Sequence, residues 1–288
     1  MKKRHYRTIV LSDIHLGARS SQADQVLKFL EHHDSDYLYL NGDIIDAWAL
    51  RRKWYWQSIY NDIIRKILKK STHGTRVFYI AGNHDEFLRT LMTAFSRFGD
   101  VTICNEVTHA GADGRSYLVV HGDLFDGVHR LAPWLSVAGA RGYEFIIAVN
   151  HRYNQIRQSL GLGYWSFSRW IKKNIKKAVN HVFQFEVNLV HYCQSRGFDG
   201  VICGHIHTPA IKTIDSLIYM NSGDWIENLT ALEYTEGKWS IYNYHDDPVA
   251  QAIDIYKKKG KESAKTMMAS LMMELNMKEG NVVDKLAS

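Results

Sequence analysis

The chain has 288 residues, 45% hydrophobic and 23% charged, a balance that supports a packed core and excludes global disorder. Its formal net charge of +6 suits an anionic partner such as phosphate, nucleic acid or an acidic membrane surface. Cys104, Cys193 and Cys203 show no paired spacing, which argues against a disulfide framework or a cysteine zinc site and makes a reducing, cytoplasmic compartment the default.

The basic start Met1-Lys2-Lys3-Arg4 lacks a signal-peptide core, and no apolar run reaches the roughly 18 residues of a spanning helix. Residues 8–12 are the first predicted strand. Ser20 and Ser21 are N-cap candidates for a helix to about His33, with Val26, Leu27 and Leu30 on its inner face. Residues 37–40 read as the second strand. An aromatic, basic segment follows, from Trp48 to Trp56, then a helix to about Lys70 that stops at Gly74. Residues 77–81 read as the third strand and 86–98 as a helix. Short strands follow near 101–109 and 116–120, around the turn Asp113-Gly114. The β-α-β-α-β rhythm predicts a layered α/β domain.

Residues 127–192 break that rhythm. Phe167, Trp170, Ile171, Ile175, Ala178, Val179 and Val182 fall at helical spacing, with Lys172, Lys173, Lys176 and Lys177 on the other face. The segment holds nine Arg and Lys against Glu144 and Glu186, a local excess of +7 that leaves the rest of the chain nearly neutral. With Trp134, Trp165 and Phe167, it can lie on an anionic bilayer or hold a lipid tail; equally, it can pack on the core with a solvated lysine face. Residues 200–203, 211–214, 217–220, 229–234 and 239–244 read as later strands, the last four completing a second sheet. The sequence thus divides into a core of 1–126 and 193–256, an insertion at 127–192, and a tail at 257–288 with no evident chemistry.

Five segments carry the chemistry, each after an apolar run: Asp13-Ile14-His15, Gly42-Asp43-Ile44-Ile45-Asp46, Gly82-Asn83-His84-Asp85, His121-Gly122-Asp123, and Gly204-His205-Ile206-His207. Taken singly each is weak, because a lone Asp-x-His is common and Gly-Asp after a strand is often a turn. Five in order, each at the C-terminal edge of a strand, point to one ligand site. Carboxylates, imidazoles and an amide carbonyl form a donor set suited to two divalent cations sharing a carboxylate.

The same residues closely resemble the calcineurin-like metallophosphoesterase superfamily, whose signature runs D-x-H, G-D-x-x-D, G-N-H-[DE], H, G-H-x-H. The resemblance covers most of residues 8–225 and implies an α/β, four-layer αββα sandwich, here with a helical cap insertion. It implies that Asp13, His15, Asp43 and His207 hold one cation and Asp43, Asn83, His121 and His205 the other. Manganese is the expected ion, with zinc or iron as alternatives. It further implies that His84 passes a proton or hydrogen bond to the substrate and that Asp46, alternatively a helix N-terminal acid, orients it. Arg19, Trp48, Trp170 and Lys173 are candidate substrate contacts. Asp123 and Asp126 either support His121 or only shape a turn.

Within the superfamily, Asp13-Ile14-His15-Leu16-Gly17, Gly42-Asp43-Ile44-Ile45-Asp46-Ala47-Trp48 and the insertion are most similar to the UDP-2,3-diacylglucosamine diphosphatases of lipid A synthesis. That branch cleaves a lipid-linked nucleotide at the membrane to a lipid monophosphate and UMP, so a cytoplasmic protein peripheral on the inner membrane is expected. The best-known members have arginine where this chain has His84. Two other readings stand beside it: a soluble phosphodiesterase or phosphatase, and a non-catalytic, metal-stabilised module for RNA or membrane. Nucleic acid ranks lower, since no second nucleic-acid module is evident.

Overall fold

A computed structural model describes residues 3–126 and 167–253, the side chains of 167–180 excepted. The first sheet has seven strands in the order β12-β11-β1-β2-β3-β5-β4. These are β1 Arg4–Leu11, β2 His33–Asn41, β3 Arg76–Ile80, β4 Arg97–Phe98, β5 Val101–Cys104, β11 Thr230–Thr235 and β12 Lys238–Asn243. The second has five, β6-β7-β8-β10-β9: β6 Glu106–Ala110, β7 Ser116–Val120, β8 Gly200–Cys203, β9 Ala210–Ile214 and β10 Leu217–Asn221. β1, β2, β3 and β5 run parallel, as do β7, β8 and β10.

Period-two alternation builds the layers. Val10, Tyr39 and Ile80 of the first sheet share a buried cluster with Tyr117, Val119, Ile202 and Met220 of the second. Leu118, Val120, Val201 and Cys203, one residue out of phase, turn outward to meet Phe185, Leu189, Val190 and Cys193. Those four belong to α5, Phe167–Ser195. Behind the first sheet, α1 (Ala23–His32) and α3 (Ser58–Thr72) pack on each other and on β2 and β3. The order of layers is helix, sheet, sheet, helix. The described residues from 243 onward belong to a separate unit, in which Asn243 caps the turn Tyr244–Asp246 by accepting the His245 N–H.

Three expectations change. The run 101–109 divides at Asn105, with β5 in the first sheet and β6 in the second. β11 and β12 do not complete the second sheet; β11 pairs antiparallel with β1 in the first, and β12 forms that sheet's edge. The helix expected to reach about Phe98 ends as α4, Phe87–Leu91. Gly99, at φ +59°, instead turns the chain so that Arg97 and Phe98 pair with Thr102 and Val101. Most of the insertion, 127–166, and the tail from 254 lie outside the described residues. No described helix is long and apolar enough to cross a membrane.

His109 stands between the sheets, 1% exposed. Its Nδ1 is 3.0 Å from the Tyr39 hydroxyl and its Nε2 3.3 Å from Thr8 Oγ1. Burial, aided by the nearby Arg7 charge, pushes its pKa down to about 4. The unfolded chain takes that proton near its ordinary 6.5, so it binds more protons than the folded chain between those values, and stability falls as pH is lowered through them. The loss across the window is about 3 kcal/mol. Denaturant melts of wild type and His109→Gln between pH 7 and 4 check this, the variant declining less steeply; parallel curves would refute it.

Candidate metal centre

Five loops at the C-terminal edges of the parallel strands meet where the sheets converge. Backbone bonds stitch them together: Asp13 N–H donates to Gly42 O (3.0 Å), His15 N–H to Asp43 O (2.9 Å), Ala47 N–H to His84 O (3.0 Å) and Gly204 N–H to His121 O (3.0 Å). The loops reach inward by an uncommon backbone. Asp13, His15, Asp43, His205 and His207 all have φ between +52° and +69°. Only four other non-glycine described residues have a positive φ. Left-handed backbone costs such residues about 1–3 kcal/mol, a strain that concentrates at functional sites.

The glycines of the motifs make room for neighbouring side chains. A Cβ on Gly42 would stand 2.2 Å from His121 Nδ1, one on Gly82 2.3 Å from Asp43 Oδ1, and one on Gly204 2.6 Å from Asp13 Oδ2.

Asp43 lies at the centre. Its Oδ2 has His15 Nε2 at 3.9 Å and His121 Nε2 at 3.4 Å, yet neither nitrogen is hydrogen-bonded, although both are buried. The far nitrogen of each ring is anchored. His121 Nδ1–H donates to Asn41 O (2.8 Å), and His15 Nδ1–H to Asp46 Oδ2 (3.2 Å). This points Nε2 of each ring inward, as in metal-ligating histidines. His207 Nε2 is 3.1 Å from Asp13 Oδ1. Among the described residues, donor atoms lie within 4.8 Å of one another in three groups that could hold metal ions: Asp13, His15 and His207; Asp43, His121 and His205; and His15, Asp46 and His84. Buried nitrogens without partners and oxygen–imidazole donors fit divalent cations.

The electrostatics agree. Burial opposes ionisation of Asp43, but the imidazoles of His121, His15 and His84 hold its carboxyl well below the usual range. Burial likewise disfavours a charged His121, yet Asp43 pushes it up to about 10. For His207, Asp13 overrides burial and raises it to about 9.

Asn83 is buried on a loop that Asp85 pins: Asp85 Oδ1 accepts from Gly82 N–H (2.6 Å), and Oδ2 from Ile44 N–H (2.9 Å) and the Tyr79 hydroxyl (2.7 Å). His84 N–H donates to Asp43 Oδ1 (2.8 Å). His84 Nδ1 is 3.0 Å from Asp46 Oδ1, and its ring sits 4.2 Å from that of Trp48 and 4.5 Å from that of His15. Asp46 stands where two loops and a helix start meet. It meets His15 and His84, and it caps α2 (Ala47–Arg52) by accepting Ala49 N–H at 2.7 Å. Arg19 is exposed and stacks over Tyr55 at 5.1 Å. The side chains of Trp170 and Lys173 lie outside the described residues.

Asp123 accepts Arg89 Nη2 at 2.8 Å, while Asp126 Oδ2 meets His205 Nε2 at 2.9 Å; neither bonds His121. A sixth loop escaped the sequence reading. After β10, Ser222 Oγ and Ser12 Oγ are 2.7 Å apart, Trp225 N–H donates to Asp13 O (3.1 Å), and Asn228 Nδ2 donates to His207 O (2.9 Å). The turn-forming Asn221-Ser222-Gly223-Asp224 after an apolar run was its signal.

Known proteins resemble this chain over most of its length. The UDP-2,3-diacylglucosamine hydrolase of Stenotrophomonas maltophilia is 27% identical over 248 residues, covering 81% of this chain and 97% of that enzyme. The enzyme of the same name from Chromohalobacter salexigens is 27% identical over 231 residues, 76% and 88% respectively. Among solved structures, the phosphoesterase Yfce from E. coli aligns with 81% of this chain and 90% of its own, at 12% identity and a TM-score of 0.40. The family model for calcineurin-like phosphoesterases matches residues 6–209, and the chain therefore belongs to the calcineurin-like phosphoesterase family.

Proposed function

We propose that this chain is a dinuclear-metal hydrolase that cleaves the diphosphate of UDP-2,3-diacylglucosamine, or a closely related lipid-linked nucleotide, to a lipid monophosphate and UMP. The carrying observation is the pair of buried, unbonded nitrogens, His15 Nε2 and His121 Nε2, aimed at one oxygen of Asp43. The relatives' names supply the substrate.

Asp13, His15, Asp43 and His207 would hold one ion and Asp43, Asn83, His121 and His205 the other, with manganese preferred to zinc or iron. When bound, such ions polarise a phosphoryl oxygen and acidify a water nucleophile. The chain's own residues do the rest. Asp46 orients His15 and His84 together. Burial disfavours a charged His84, but Asp46 and Asp43 raise its pKa, which favours the protonated ring that would give a proton to the leaving oxygen. Trp48 covers that ring, and Arg19 stands nearby in sequence as a phosphate contact.

An anionic membrane surface fits the end of α2 and the loop after it. Arg51, Arg52 and Lys53 are exposed, Trp54 is 74% exposed, and Trp56 stacks behind it.

Hydrolysis of UDP-2,3-diacylglucosamine in phosphatidylglycerol vesicles, beside bis-p-nitrophenyl phosphate in buffer, tests the reading. UMP release from the lipid is expected with manganese, lost on chelation and faster on the vesicles than in neutral detergent. Turnover of the soluble diester alone would favour a soluble phosphodiesterase. Metal-loaded protein inert on both would favour a binding module.

A further inference from the structure

We propose that His181, on the helix that leaves the insertion, is a positioning residue of the metal centre: it holds Asp126, which in turn holds His205. The inference rests on the metal-centre reading above.

The helix is locked to the site. Phe185 of α5 is buried, and its ring lies 6.0 Å from that of His205. Gly122, next to His121, leaves the space that Phe185 fills, since a Cβ there would stand 2.7 Å from Phe185 Cζ. α5 thus abuts the loops of His121 and His205 together. One helical turn earlier on the same face stands His181, four residues before Phe185. Its side chain is only 31% exposed, and its Nε2 lies 3.5 Å from Asp126 Oδ1. The other oxygen of that carboxylate meets His205 Nε2 at 2.9 Å. Asp126 itself is 7% exposed, so one buried carboxylate is shared between an imidazole of the centre and an imidazole of the insertion's helix.

The consequence follows from His205's own backbone. At φ +69° it is strained, and an external hold on its ring keeps it grouped with Asp43 and His121. Asp126 supplies that hold, and His181 fixes which way Asp126 points. Partners of this kind shift metal affinity by about 10–100-fold; one link further out, a roughly tenfold effect is expected. The insertion's helix would then be part of the centre's scaffold as well as a cover for the substrate.

Manganese titration of the full chain by calorimetry tests this. His181→Ala should weaken one of two binding steps about tenfold and leave the other step and the metal-free melting temperature unchanged. His181→Gln, which can still donate to Asp126, should recover part of the loss. Adding His181→Ala to Asp126→Asn should cost nothing further, because the carboxylate through which His181 acts is gone. Phe183→Ala, exposed on the same helix, should titrate as wild type. Unchanged binding in His181→Ala, or full additivity with Asp126→Asn, overturns the inference. Wild-type protein that binds no manganese overturns the metal-centre reading instead.

Discussion

Asp43→Asn is expected to lower kcat/KM by on the order of 10³-fold or more, the equivalent of about 4 kcal/mol of lost charge stabilisation, and to strip the protein of at least one metal ion. The substitution keeps the side chain's shape and the backbone bonds of the loop. It removes the charge that His15 and His121 face from 3.9 and 3.4 Å. A second readout needs no metal. In wild type, Asp43 overrides burial and holds His121 near 10; without that carboxylate, burial dominates and the histidine should titrate well below it. NMR titration of the metal-free variant checks this, and elemental analysis checks the ion count. A variant that keeps two ions and full turnover would remove Asp43 from the role of shared ligand.

His84→Ala should leave the ions in place and lower kcat by about 10²–10⁴-fold, the usual weight of a positioned proton donor. The ring touches Asp46 at 3.0 Å and stacks near Trp48, while its backbone N–H, kept in the variant, still donates to Asp43. The loss should be smaller for a p-nitrophenyl ester, whose leaving group needs no proton, than for the lipid diphosphate. Stopped assays on both substrates, with metal content measured alongside, separate the outcomes. Equal losses would place the hydrogen bond on a non-bridging oxygen. Unchanged turnover would end the assignment.

The metal-type residues were readable because the chemistry is local. Asp13, Asp43, Asn83, His121 and His205 each follow an apolar run within a few residues, and a strand's C-terminal edge is where an open sheet delivers ligands. The helix from Phe167 onward was readable for the same reason, since 3.6-residue spacing needs no partner to be recognised. Strand partners are another matter. β1 and β11 lie more than two hundred residues apart in the chain, and the run 101–109 carries no mark at Asn105 of a change of sheet. Pairing is decided by which edges remain open once the inner strands have docked, a long-range property that alternation alone does not encode. The left-handed backbone of five candidate ligands, the glycines hollowed out for other loops' side chains, and the reach of His181 to Asp126 arise only when distant segments share one space. Packing there is close enough for a single Cβ to collide with an imidazole.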